Sequence, residues 1–186
     1  MKPHSLFLAG VLLAGSAVLF QTRFKLTLSV GESMEPTLAS RELLLVDRAA
    51  YRHAEPRRGD IVVARHSGEW IVKRVVGLPG ETIEVRNGQL LVNGRRLPEV
   101  YPALPGSLRI APGTLQTDRY ALLGDNRSLG SDQTVHAIVG REDILGQVVG
   151  SLPLSSRVTT SPSNGGVEMQ SLALDKRGSR PAAGPS

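Results

Sequence analysis

The chain has 186 residues, room for one ordinary domain plus flanking segments, with 40% apolar and 4% aromatic residues. It has no cysteine, which excludes disulfide frameworks and cysteine-ligated metal sites and suits an exported domain that does without disulfides. The net charge of +5 sits at the ends: Lys2, Arg23 and Lys25 give residues 1–25 a charge of +3, Arg157, Lys176, Arg177 and Arg180 against Glu168 and Asp175 give residues 151–186 a charge of +2, and residues 26–150 are neutral. A nucleic-acid binder concentrates positive charge on its folded part, so that class is set aside.

From Pro3 to Thr22 no residue is formally charged when His4 is neutral, and Lys2 and Arg23 bracket the run. Its apolar part, Leu6 to Phe20, is slightly short of the roughly 20 residues that span a bilayer core. A cleaved signal peptide is the rival reading, with Lys2 as the basic start, Leu6–Leu13 as the apolar run, and Gly15 and Ala17 before the cut. The run continues past Ala17 to Phe20, which favours a retained single-pass anchor over residues 1–25. Basic residues flank both ends and specify orientation weakly. The very short N-terminus makes an extracytoplasmic domain the simpler choice.

Beyond the anchor the chain reads as mainly β. Leu43–Val46, Asp60–Arg65 and Trp70–Val76 are strand-like, the last two joined through His66-Ser67-Gly68, while Tyr51–Arg58 reads as a loop. Thr82–Arg86, Gln89–Val92 and Arg95–Leu97 follow, separated by Asn87-Gly88 and Asn93-Gly94, the strongest short hairpin signal. Pro98 to Thr117, rich in Pro and Gly, reads as an irregular insertion. Arg119–Leu123 is a further strand, and Ile144–Val149 closes a domain over residues 26–150. From Ser151 onward Ser, Gly and Pro dominate, and too little apolar surface remains to offset ordering entropy, so residues 151–186 are expected to be a disordered tail.

Two residues stand out chemically. Ser33 lies in the turn-prone stretch Gly31-Glu32-Ser33-Met34-Glu35-Pro36-Thr37-Leu38, and Lys73 lies forty positions on, in a strand. A serine hydroxyl is a poor nucleophile until a base takes its proton. None of His4, His53, His66 or His136 lies in a recognisable triad context, although triads are geometric and sequence alone does not exclude one. A lysine serves instead if burial lowers its pKa from about 10.4 towards neutrality. Strand alternation places Lys73 on one face with Ile71 and Val75, which supplies apolar neighbours. Taken singly, such a lysine is ordinarily a snorkelling surface side chain and such a serine a turn residue.

Four blocks in order change that balance: Gly31–Leu38, Arg58-Gly59-Asp60-Ile61-Val62-Val63, Lys73-Arg74-Val75-Val76-Gly77-Leu78-Pro79-Gly80-Glu81 and Gly124-Asp125-Asn126-Arg127. Together they closely resemble the successive motifs of signal peptidase I, the bacterial leader peptidases, over about Gly31 to Val149. The spacing and single anchor look like the compact, Gram-positive-type members. The resemblance implies a coiled β-sheet or barrel catalytic domain behind one transmembrane helix. It also implies a serine endopeptidase that cuts exported preproteins after small residues in an Ala-x-Ala pattern, without metal or organic cofactor. By the same resemblance Ser33 is the nucleophile and Lys73 the general base. The backbone N–H of Ser33 stabilises the oxyanion and Met34 lines the substrate cleft. Arg74 and Asp125 form an ion pair supporting the lysine strand.

Several positions depart from the family pattern. Gly31 stands where some members have a serine that gives a second oxyanion donor. Gly130 replaces a serine expected to orient the lysine, with Ser131 one position on. Thr134 replaces an arginine expected to pair with Asp132. These departures keep a non-enzymatic, membrane-anchored β-domain open as a rival, beside a dedicated maturation peptidase of the conjugative-pilus type. A self-cleaving repressor of the related Ser/Lys class would need a DNA-binding segment where this chain has an apolar run. Arg58-Gly59-Asp60 also spells a cell-adhesion tripeptide, which its place inside a matched block discounts.

Overall fold

The structure, a computed structural model, describes residues 20–129 and 135–154. Residues 20–23 are helical, and the described residues after them form eleven strands and one short 3-10 turn: β1 (Phe24–Leu28), β2 (Glu42–Asp47), β3 (Ile61–His66), β4 (Glu69–Gly77), β5 (Thr82–Arg86), β6 (Gln89–Val92), β7 (Arg95–Arg96), β8 (Ile110–Thr114), β9 (Arg119–Leu123), β10 (His136–Gly140), the turn Arg141–Asp143, and β11 (Ile144–Pro153). A seven-stranded sheet runs β1-β2-β11-β3-β4-β9-β10 and a four-stranded sheet runs β7-β6-β5-β8. Every pairing between these strands is antiparallel. The mainly β expectation holds, as two sheets with open ends.

Local turn chemistry sets the hairpins. Ser67-Gly68, Asn87-Gly88 and Asn93-Gly94 each put two successive residues at positive φ, between 50° and 87°, the backbone of a two-residue hairpin loop. The registers agree, with His66 opposite Glu69, Arg86 opposite Gln89 and Val92 opposite Arg95.

Three boundaries differ from those read in the sequence. The anchor was expected to run to residue 25, yet Phe24 and Lys25 open β1, where Phe24 pairs with Asp47. Arg23 holds the same carboxylate at 2.7 Å, and this bond keeps Asp47 below the ordinary carboxylate range. The rest of the expected anchor, up to Leu19, lies outside the described residues, and no described helix is long and apolar enough to cross a membrane. Within the expected insertion, β8 pairs with β5 despite Pro112. Proline is tolerated there because β8 is an edge strand, whose outer N–H groups have no ladder partner to lose. At the other end β11 continues through Pro153, opposite Glu42, so the first three residues of the expected tail are strand. Residues 155–186 lie outside the described residues.

The core explains why the end of β4, Val75-Val76-Gly77, is apolar on both faces. Val75 and Leu122 pack with Val62, Ala64, Val139 and Ile144 on one face. Val76, Ala121 and Leu123 pack with Ile83, Val85 and Leu90 of the small sheet on the other. Each such side chain contributes about 1.5–3 kcal/mol when fully buried. Strands β4 and β9 are thus central to the two cores, and the residues they carry are correspondingly fixed.

Candidate active site

Ser33 lies in the loop between β1 and β2. Its neighbours Met34 and Leu38 drop into the core beside Leu44, at 2% and 4% exposure. The Leu38 N–H donates to the carbonyl of Met34, and the Ser29 N–H to that of Glu42, which close the loop against β2. Two apolar plugs and these bonds restrict where Ser33 can point.

Lys73 comes from the middle of β4, opposite Val62 of β3. Its Nζ donates to Ser33 Oγ at 2.7 Å and to the carbonyl of Val72 at 3.1 Å. The side chain is almost wholly buried, at 4% exposure. Burial penalises the ammonium form and lowers its pKa from 10.5 to about 8. The sequence expectation of an amine desolvated between apolar neighbours therefore has its physical basis in place, and a hydrated surface lysine is excluded.

The two residues open onto a cleft of about 340 Å³ whose walls include Leu28, Val30, Met34, Trp70 and Val72. Met34 thus belongs to the cleft and to the core at once. The N–H of Ser33 meets no backbone or side-chain acceptor among the described residues, whereas the Gly31 N–H is taken by Ser40 Oγ at 3.1 Å.

A third segment fixes the serine loop to the lysine strand. Arg74 donates from Nε and Nη2 to the two oxygens of Asp125 at 2.9 and 2.6 Å, a bidentate pair with Asp125 fully buried. Its Nη1 donates to the carbonyl of Gly59 at 2.7 Å. The Thr37 hydroxyl, from the serine loop, also donates to Asp125 Oδ2. The Arg74–Asp125 pair is thus a buried junction of four groups, with Gly59 and Thr37.

Next to it, the Asn126 N–H donates to the Ser33 carbonyl at 3.0 Å and its side chain to the Glu32 carbonyl at 3.1 Å. Gly124 permits this approach, because a Cβ there would lie 2.4 Å from the Ser33 carbonyl oxygen. The clamp made by Gly124, Asn126 and Thr37 escaped the sequence reading of site residues. All three lie within the matched blocks, so their presence was visible while their contacts were not.

The second block is structural here. Arg58 pairs with Glu81 and reaches the Val76 carbonyl. Asp60 accepts from the Tyr51 hydroxyl and the Gln147 side chain. An adhesion motif needs these two charges free, and both are engaged. Asp132, with Gly130, Ser131 and Thr134, lies outside the described residues.

Comparison with known proteins points to one family. The probable signal peptidase I-2 of Synechocystis sp. is 37% identical over 123 residues, covering 62% of this chain and 56% of that protein. The signal peptidase I of Leptolyngbya laminosa is 38% identical over 128 residues, covering 63% of each. That of Bacillus amyloliquefaciens is 37% identical over 112 residues, covering 55% of this chain and 60% of the relative. The chain thus spans less than two thirds of the length of these relatives. A crystal structure of a signal peptidase I from Enterococcus faecalis V583 aligns at 27% identity over 50% of this chain and 97% of that one, with a TM-score of 0.41, too slight a likeness to speak for the fold. The sequence model described as signal peptidase, peptidase S26, matches residues 4–152, and this chain belongs to that family.

Proposed function

We propose that the chain is a serine endopeptidase that removes signal peptides from exported preproteins, with Ser33 as nucleophile and Lys73 as general base. The observation that carries the reading is the 2.7 Å contact between Lys73 Nζ and Ser33 Oγ, made by an amine whose burial lowers its pKa to about 8. An amine in that range is deprotonated in a usable fraction at neutral pH, which an ordinary lysine is not.

In this mechanism neutral Lys73 takes the Ser33 proton as Oγ attacks the scissile carbonyl. The Ser33 N–H donates to the developing oxyanion, a type of help worth about 2.7–4 kcal/mol. The Lys73 ammonium then protonates the departing amine, leaving an ester on Ser33. Lys73, neutral again, takes a proton from water as the hydroxide attacks the ester; it then returns that proton to Ser33 Oγ as the acyl bond breaks, and the cleaved signal segment leaves as a carboxylic acid that ionises in solvent.

Strand β1 is an edge strand of the large sheet among the described residues and leads through Ser29 and Val30 into the cleft. A substrate segment lying extended along that edge gains main-chain hydrogen bonds, while shallow apolar pockets select small side chains. The residues before β1 serve as a single-pass anchor, the segment from β1 through β11 as the catalytic domain on the extracytoplasmic face, and the residues beyond Leu154 as a tail. Tethering enzyme and preprotein to one membrane raises their effective concentration and offsets weak recognition of small residues.

The test uses the full-length chain in detergent with a preprotein carrying an Ala-x-Ala site. Wild type releases the mature N-terminus, and Ser33→Ala and Lys73→Ala each abolish release while keeping the β-type circular dichroism spectrum. Cleavage retained by either folded variant contradicts the dyad. A wild-type chain that acts on one dedicated precursor alone favours the specialised maturation reading.

A further inference from the structure

We infer that Tyr101, held by Glu99, is a positioning residue for the dyad: its ring caps the Arg74 guanidinium and keeps the lysine strand and the serine loop in register. This rests on the peptidase reading above and assigns a role outside the four sequence blocks.

The Arg74 guanidinium donates in its plane to Asp125 and to the Gly59 carbonyl. These bonds fix the plane but leave its faces open. The Tyr101 ring covers one face, with its centroid 4.0 Å from the guanidinium carbon, a close cation–π stack. Arg74 is the residue after Lys73, and Asp125 is the residue before Asn126, whose N–H holds the Ser33 carbonyl. A displacement of the Arg74–Asp125 pair therefore moves both partners of the dyad.

Tyr101 is itself pinned. Its hydroxyl donates to Glu99 Oε1, and Glu99 receives Arg127, a fully buried arginine that also donates to the carbonyls of Gly124 at 2.7 Å and Gly88 at 2.9 Å. The Leu104 N–H donates to the Asp125 carbonyl and the Arg127 N–H to that of Leu104. Residues 99–104 thus form a strap over the 124–127 loop. Val100, between the two inward residues, is 98% exposed, so its side chain does not hold the strap. Its ordered contacts are aimed at Arg74, Asp125 and Arg127.

The experiment measures kcat, KM and the thermal midpoint for the full-length chain and its Tyr101→Leu, Tyr101→Phe and Ser33→Ala variants on one preprotein. Tyr101→Leu lowers kcat about tenfold with KM unchanged, because a dyad slightly out of register loses rate rather than substrate binding. Tyr101→Phe, which keeps the ring, retains most of the rate. Tyr101→Met, of similar volume, replaces Tyr101→Leu if the latter does not fold.

An unchanged kcat in the ring-less variants, an equal loss in Tyr101→Phe, or a rise in KM alone overturns the positioning role. So does a failure of both ring-less variants to fold, which assigns Tyr101 to stability. Ser33→Ala separates the two levels: if it still cleaves, the peptidase reading falls. If it is inactive while Tyr101→Leu is fully active, only the strap inference falls.

Discussion

At the scale of single residues, Lys73 carries a conflict between stability and use. Its folded pKa of about 8 lies below the ordinary 10.5, so the folded state holds this proton less tightly than the unfolded chain does. The penalty is complete below about pH 8 and fades as pH rises towards 10.5, so this group makes the fold more stable with rising pH across that window. Lys73→Met keeps the length without the charge and should raise unfolding free energy at pH 7 by about 1–3 kcal/mol, read by urea denaturation, while abolishing cleavage. On the rate side, kcat/KM should fall about tenfold per pH unit below the Lys73 pKa, as the neutral base is titrated away. Asp125 shows the opposite balance. Asp125→Asn strands a buried Arg74 without its counter-charge and should cost about 3–5 kcal/mol in the same denaturation assay.

At the scale of elements, β4 joins the pieces: it supplies Lys73 and Arg74, and its end packs against both sheets. Gly77 marks the crossing, where an added Cβ would lie 2.6 Å from Ile83 and 2.8 Å from Ala121. Gly77→Ala should therefore lower stability by about 1–3 kcal/mol, read as a drop in thermal midpoint. Hairpins were legible in the sequence because Asn-Gly and Ser-Gly turns act locally and need no knowledge of the rest of the chain. Strand β8 was not legible, since Ala111-Pro112-Gly113 breaks every local strand rule and only pairing with β5 makes it a strand. Strand β10 was not assigned either: His136–Gly140 alternates weakly and owes its place to β9. In the site, Ser33, Lys73 and the Arg74–Asp125 pair were readable from residue type, spacing and family motif. The Asn126 clamp and the Tyr101 strap were not, because they depend on loops brought together across 94 and 27 positions respectively, as from Glu32 to Asn126 and from Arg74 to Tyr101.

At the scale of the whole molecule, the neutral charge of residues 26–150 leaves the region bearing Ser33 and Lys73 without a strong field, so recognition falls to the cleft, the β1 edge and the shared membrane. Truncation after Leu154, just beyond the last strand residue, should leave preprotein cleavage unchanged, as a gel-based processing assay would show. The central claim is that one buried amine, poised on Ser33, loses its proton near pH 8 and so supplies a usable fraction of neutral base at working pH. The chain has four lysines, Lys2, Lys25, Lys73 and Lys176, so isotope labelling at the lysine ε-carbon gives four NMR signals to follow with pH, with Lys73→Arg as the assignment control. One signal, absent in Lys73→Arg, should titrate near pH 8 while the other three titrate near 10.4. Four signals all titrating near 10.4 would contradict it.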